Sequence, residues 1–243
     1  MILSGGSAML YASVGHGGAS AYLALLALGG FGRDMAAPTA LALNILASGI
    51  GAMSYYRAGH FNGRLLLPFV LPSIPAAYIG ATLAISERTF AALLGGALLI
   101  AAVRFLLPAT PHLQSRAVTT GRLWGMGLPI GFSLGFVSGL IGIGGGIFLS
   151  PLLLFLRWAD ARTTAAVSAP FILLNSLAGL AGHLQRGLPA AAGSLIGGMG
   201  IAVAIGGMGG AYTGAFRLAP VTLQRILGTI LLMAGVKLIL VAL

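Results

Sequence analysis

Four glycines, Gly142, Gly144, Gly145 and Gly146, interrupt an apolar run over residues 136–151, FVSGLIGIGGGIFLSP. Each glycine in a helix interior costs about 1 kcal/mol relative to alanine, so the cluster should open the helix that carries it. The amide groups freed by such a break have no side chain in front of them and can hold an anion. A second cluster lies in residues 11–24, YASVGHGGASAYLA, where Gly15, Gly17 and Gly18 fall on Gly142, Gly144 and Gly145 at an offset of 127. Paired breaks at corresponding places in two halves are the sequence pattern of a transporter's substrate site. The same glycines would also serve close helix packing.

Other residues could complete an oxyanion site. His16, inside the first break, is suited to donating to an oxyanion or carrying a proton, or to resting on a backbone carbonyl. Ser20 stands with Ser13, Ser138 and Ser168 as a cavity hydroxyl, although hydroxyls in membrane helices also bond their own backbone. Asn44 and Asn175 sit in apolar helical runs and read as counterparts; a buried amide needs partners, either another helix or a ligand. Tyr11 is a weaker candidate beside the first break. Arg104 and Lys237 match across the halves near span ends, where snorkelling to the headgroups accounts for them. His60, His112 and His183 fall in expected loops and read as surface residues.

The three acids, Asp34, Glu87 and Asp160, all fall in expected turns, so no carboxylate is expected inside the membrane. Coupling to a proton or a sodium ion, which often uses an intramembrane acid, would then rest on His16, on backbone carbonyls or on protonation of the substrate itself. Passive movement down a gradient is the alternative. The chain shows no HExxH, no GxSxG and no paired intramembrane acids, so an enzyme is not expected, and neither is a metal or a cofactor.

These residues need a scaffold, and composition defines its class. Hydrophobic residues make up 58% and charged residues 7%, far from the roughly 25% charged of soluble domains. The chain reads as one integral membrane unit, with the lipid bilayer as its first partner. A formal charge of +10 comes from 13 Lys and Arg against 3 Asp and Glu. The basic residues are scattered singly between apolar segments, which argues against nucleic acid. They fit the positive-inside rule and anionic headgroups, or an electropositive vestibule for an anion. There are no cysteines, which excludes disulfides and thiolate metal sites. No cleavable signal peptide is evident.

The apolar pattern divides into a first repeat over 1–107, a polar linker over 108–122 and a second repeat over 123–243. Each repeat opens with a glycine-broken helix, 3–30 in the first and 123–156 in the second. Three spans follow in each: 36–56, 65–85 and 89–107, then 163–182, 188–212 and 220–243. If all eight segments cross, Lys and Arg divide seven to six between the sides; if the broken segments are hairpins, nine to four. The hairpin arrangement obeys the positive-inside rule better. It predicts an all-α membrane protein of two inverted repeats, each a re-entrant broken helix plus three transmembrane helices; the legs of 3–30 would reach roughly mid-membrane, whereas 123–140 is long for a half-leg. The glycine-rich segment 188–212 would pack within the chain or between protomers of a homo-oligomer.

The run from Gly139 to Pro151, GLIGIGGGIFLSP, resembles the signature of the sulfite exporter TauE/SafE family of bacterial membrane proteins. Residues 14–18, VGHGG, resemble that family's first-repeat motif, with His16 and Ala19 where the second repeat has Ile143 and Gly146. The resemblance extends over nearly the whole chain. It implies a multi-pass inner-membrane transporter of a small anion, sulfite, a sulfonate or a related organic anion, with the glycine breaks as its site. A passive anion channel and a structural subunit of a larger complex are the alternatives.

Overall fold

The computed structural model describes residues 2–106, 118–185, 187, 190–216 and 221–243. Most of the expected linker, 108–117, lies outside the described residues, as do His112, Pro220 and the Arg104 side chain. Every regular element among the described residues is an α-helix. The first half holds α1 (Ile2–Ala12), α2 (Ala19–Leu28), α3 (Arg33–Arg57), α4 (Gly63–Thr82) and α5 (Glu87–Leu106). The second holds α6 (Thr120–Ile141), α7 (Gly146–Phe155), α8 (Ala161–Leu184), α9 (Ala190–Phe216) and α10 (Val221–Ala242).

Local chemistry sets the helix starts. The side chain of Asn62 accepts from Leu65 N at 3.2 Å and that of Asp160 from Thr163 N at 2.8 Å, each satisfying an amide the first turn leaves orphaned. Ser86 caps α5 in the same way through Thr89 N at 3.1 Å. The two apolar runs break where glycine alone is comfortable, with φ of 75° at Gly15, 103° at Gly18, 87° at Gly142 and 78° at Gly144 and Gly145.

Among the described residues five helices, α3, α4, α6, α8 and the 192–215 part of α9, are long and apolar enough to cross a membrane. The presence of α6 among them agrees with an apolar run, 123–140, that is long for a half-leg. Its 22 residues rise about 33 Å, more than a ~30 Å hydrocarbon core requires. Its partner leg α7 has only 10 residues, so the two legs of this break are unequal.

Glycine stripes bring helix backbones into contact. A Cβ built on Gly131, Gly135 or Gly139 of α6 would lie 2.2, 2.3 or 1.9 Å from the carbonyl oxygens of Phe69, Ser73 and Ala77 on α4. On α9, a Cβ at Gly206, Gly210 or Gly214 would lie 2.0 Å from the carbonyl oxygens of Gly5, Met9 and Ser13 on α1. In both pairs the residue numbers rise together, so the paired helices run parallel. Each half's first helix therefore packs on the other half's fourth helix, and α3 packs on α8 across the centre.

The central contacts are reciprocal. A Cβ on Gly51 would meet Ala169, and one on Gly179 would meet Leu41; a Cβ on Gly15 would meet Ala165, and one on Gly142 would meet Ala37. Residues 51 and 179, 41 and 169, and 37 and 165 are each 128 apart. In this register Asn44 corresponds to Ile172 rather than to Asn175, which lies about one turn further along α8. The expected Asn44–Asn175 correspondence is thus corrected: equal residue types do not occupy equal depths.

The direction of the broken elements follows from their neighbours. Leu123, near the start of α6, and Leu153, near the end of α7, share a cluster with Leu65, Leu66 and Ala159. Between these ends, the Leu140 carbonyl reaches the side chain of Arg33 at the start of α3. The α6–α7 element leaves and returns to the Arg57 end of the bundle and turns near its Arg33 end.

Gly131→Ala should lower the melting temperature of the purified protein in detergent. The intruding Cβ meets backbone, and overpacking costs about 1–3 kcal/mol even where neighbours can give. Gly125→Ala, with no atom within 4 Å of its Cβ position, should leave the melting temperature unchanged or raise it. Equal melting of the two variants would remove the backbone contact from the account of α4–α6 packing.

Candidate functional site

The two breaks meet beside the midpoint of α3. A small pocket there is lined by Tyr11, His16, Gly17, Gly18, Ala19, Ser20 and Asn44 from the first half and by Ile143, Gly146, Ile147 and Ile172 from the second. Its volume is about 10 Å³, roughly one water position. Both α2 and α7 start at its wall, after the left-handed residues Gly18 and Gly145; the start of α7 has no side-chain cap bond, and the first amide of α2 goes to Asn44 on α3. Two positive helix ends are therefore brought together.

Asn44 is the hub of this arrangement and is fully buried. Its Oδ1 accepts from Ala19 N at 3.1 Å and its Nδ2 donates to Ser176 Oγ at 2.8 Å. A Cβ on Gly17 would lie 1.9 Å from Asn44 Oδ1, and one on Gly144 would lie 2.4 Å from Asn44 Nδ2. Both breaks press on one amide, and only glycine leaves room for it. The amides of Gly17, Gly18, Gly144, Gly145 and Gly146 reach no acceptor among the described residues.

Tyrosines brace the first break. Ser20 Oγ donates to Tyr11 Oη at 2.7 Å, Tyr22 Oη donates to the Gly17 carbonyl at 3.0 Å, and Tyr55 Oη donates to the Ser13 carbonyl at 2.9 Å. His16 is half-buried, with Nδ1 3.0 Å from the Val14 carbonyl and its ring edge-on to Tyr11. No carboxylate is among the lining residues. Among the described residues no group of three or more His, Cys, Asp or Glu is placed to hold a metal.

Of the residues singled out from sequence, the structure brings Tyr11, His16, Gly17, Gly18, Ser20, Asn44 and Gly146 to one pocket. Gly144 touches Asn44 from behind. Gly15 and Gly142 shape the turns and pack against α8 and α3, and Gly145 packs on Phe171 and Ser138. Asn175 does not line the pocket. Its Nδ2 donates to Ser73 Oγ at 2.9 Å and to the Phe171 carbonyl at 2.8 Å, tying α8 to α4. Ser13 Oγ bonds the Leu10 carbonyl of its own helix at 2.7 Å, and Ser168 accepts from Ser150 at 2.7 Å.

Two expectations are corrected. His183 is buried in the last turn of α8 rather than exposed in a loop, because the helix continues to Leu184. Arg33, expected in a polar turn, is the first residue of α3 and only 1% exposed. Its guanidinium donates to the carbonyls of Leu140 at 3.2 Å and Leu83 at 2.9 Å, where α6 and α4 end, while its backbone amide donates to Glu87 at 3.2 Å. A cation on two helix C-termini is electrostatically favoured and fixes the tip of the α6–α7 element. Sequence reasoning missed Arg33, because a lone arginine in FGRD carries no mark of burial. It also passed over Ser176 and the isoleucine wall.

A helical bundle of apolar spans folded around two broken helices is the architecture of a multi-pass membrane transporter. The chain belongs to the sulfite exporter TauE/SafE family, whose model matches residues 1–238. It is similar to a protein of Sinorhizobium fredii (strain NBRC 101917 / NGR234) described as probable membrane transporter protein y4hK. The two are 36% identical over 246 residues, covering 96% of this chain and 94% of that one. No solved structure matches the chain. This membership makes the protein a membrane transporter and not an enzyme.

Arg33→Met leaves the helix-end carbonyls of Leu140 and Leu83 without their charged donor, at about 1.5–3 kcal/mol each. Thermal melting in detergent should show a large loss, and Arg33→Lys should recover only part of it, since an ammonium lacks the fork that reaches both carbonyls. Full recovery by lysine would reduce the role of Arg33 to its charge.

Proposed function

We propose that this protein carries a small sulfur-containing anion, sulfite or a sulfonate, through the pocket where α2 and α7 begin. The observation that carries the reading is the meeting of two helix N-termini, that of α7 uncapped and that of α2 with its first amide on Asn44, beside glycine amides that reach no acceptor among the described residues, in a pocket lined by no carboxylate. Such a site attracts an oxyanion by dipole and by N–H donors together. The family supports the sulfur class.

A pocket of this size admits no polyatomic anion without widening, which favours a carrier that changes shape over an open channel. The reciprocal contacts of the two halves support inverted repeats whose rocking exposes the pocket first at one end and then at the other. The broken elements act as re-entrant hairpins. The exposed or half-buried Arg57, Arg64, Arg122, Arg157 and Arg162 lie at the end to which α6–α7 returns, against Arg88 and Lys237 at the other. That excess supports a cytoplasmic Arg57 end. His16 is the imidazole at the pocket wall able to move a proton with the anion. The outward glycines of α9, Gly193, Gly197 and Gly200, with open space around them, would suit a second protomer.

Asn44→Asp keeps the side-chain shape and sets a negative charge between the breaks. In proteoliposomes its uptake of labelled sulfite or methanesulfonate should fall at least tenfold below wild type, with a monodisperse, folded protein. Undiminished uptake would move the anion site away from the breaks.

A further inference from the structure

The pocket has two chemically different walls. At the offsets that relate the halves, His16 stands opposite Ile143, Ser20 opposite Ile147 and Asn44 opposite Ile172. All six line the pocket. One half supplies an imidazole, a hydroxyl and an amide; the other supplies three isoleucines with exposures of 3%, 5% and 2%. The difference reaches the backbone. Ala19 donates its amide to Asn44 Oδ1 at 3.1 Å, while a Cβ on its counterpart Gly146 would lie 2.1 Å from Ile172 Cδ1. Ile172 thus occupies the space that the polar half leaves to an amide.

We propose that Ile143, Ile147 and Ile172 are specificity-determining residues, and that they favour an anion with a short hydrocarbon group over a bare inorganic oxyanion. The proposal rests on the site assigned above. A sulfonate, R–SO3⁻, presents a three-oxygen head to the polar wall and the free amides, and its alkyl group to the isoleucines. Sulfite presents the same three oxygens with a lone pair where the sulfonate has carbon, so it leaves the apolar wall unused. Sulfate places a fourth oxygen there, stripped of water and without a donor. Alkyl burial rewards the ligand until the wall is filled, by about fourfold in affinity per methylene, which is about 0.8 kcal/mol.

The test measures uptake of labelled methanesulfonate into proteoliposomes and its inhibition by unlabelled sulfite, sulfate, ethanesulfonate and 1-propanesulfonate. The expected wild-type order places ethanesulfonate about fourfold ahead of methanesulfonate, with sulfite weaker and sulfate weakest. Ile147→Ser, which copies the opposite wall, should bring ethanesulfonate and sulfite within about twofold of each other; the conservative Ile172→Leu, which keeps the wall apolar, should preserve the wild-type order. Equal inhibition by sulfite and ethanesulfonate in wild type overturns the proposal, as does an order that Ile147→Ser leaves unchanged. Uptake that survives Asn44→Asp overturns the site and the wall with it, whereas uptake lost in Asn44→Asp beside a flat alkyl series overturns the wall alone.

Discussion

Backbone amides released inside a membrane have no water to turn to, and the structure is arranged around that constraint. Each freed group must be paired by protein or must face a cavity. Asn44 meets one such demand: its Oδ1 takes the first amide of α2, and its Nδ2 crosses to Ser176 on α8. Because both glycine breaks touch this one side chain, the position of each break is tied to the α3–α8 contact. Rigid helices thereby hold a flexible sequence motif, and the remaining glycine amides of the breaks reach no acceptor among the described residues.

Holding two breaks together demands close packing of the surrounding helices, and apolar burial cannot drive it in lipid. Short contact distances do so instead, which is why the glycines of α6 and α9 lie directly on the carbonyls of α4 and α1. The exchange is crosswise, with each half's first helix held by the other half's fourth. A movement of one half therefore carries a leg of the other half's broken element with it. Arg33 adds a fixed point at the turn of α6–α7 by joining the ends of α4 and α6.

Much of this was legible in the sequence because glycine density in an apolar run has few physical meanings. The class, the helical content and the positions of both breaks followed from it. The unequal legs of the second break were legible as a misfit, since the apolar run 123–140 is long for a half-leg and 147–156 is short; where each leg ends was not. Nor was the register of the central pair. Asn44 and Asn175 look like counterparts as letters, but the depth of a residue is set by where its helix starts, and a difference of a few residues moves a side chain by a turn. Arg33 and His183 show the same limit from the other side. Their burial depends on the carbonyls and helices that arrive from distant parts of the chain, and a local window reads them only as polar residues near a turn.

The departure from symmetry is as informative as the symmetry. Two halves with identical walls would surround a ligand with donors or with hydrocarbon on every side. Here the backbone geometry is shared, with left-handed glycines at matched places, while the side chains diverge into a hydrogen-bonding wall and an isoleucine wall. Backbone geometry is what a rocking motion requires of both halves, because each must open and close the same hinge. In the proposed carrier side-chain identity faces no such requirement, since a ligand in this pocket would contact both walls at once in either orientation. Duplication can therefore preserve the mechanism in the glycines while the walls specialise, and selectivity is then carried by residues that no motif marks.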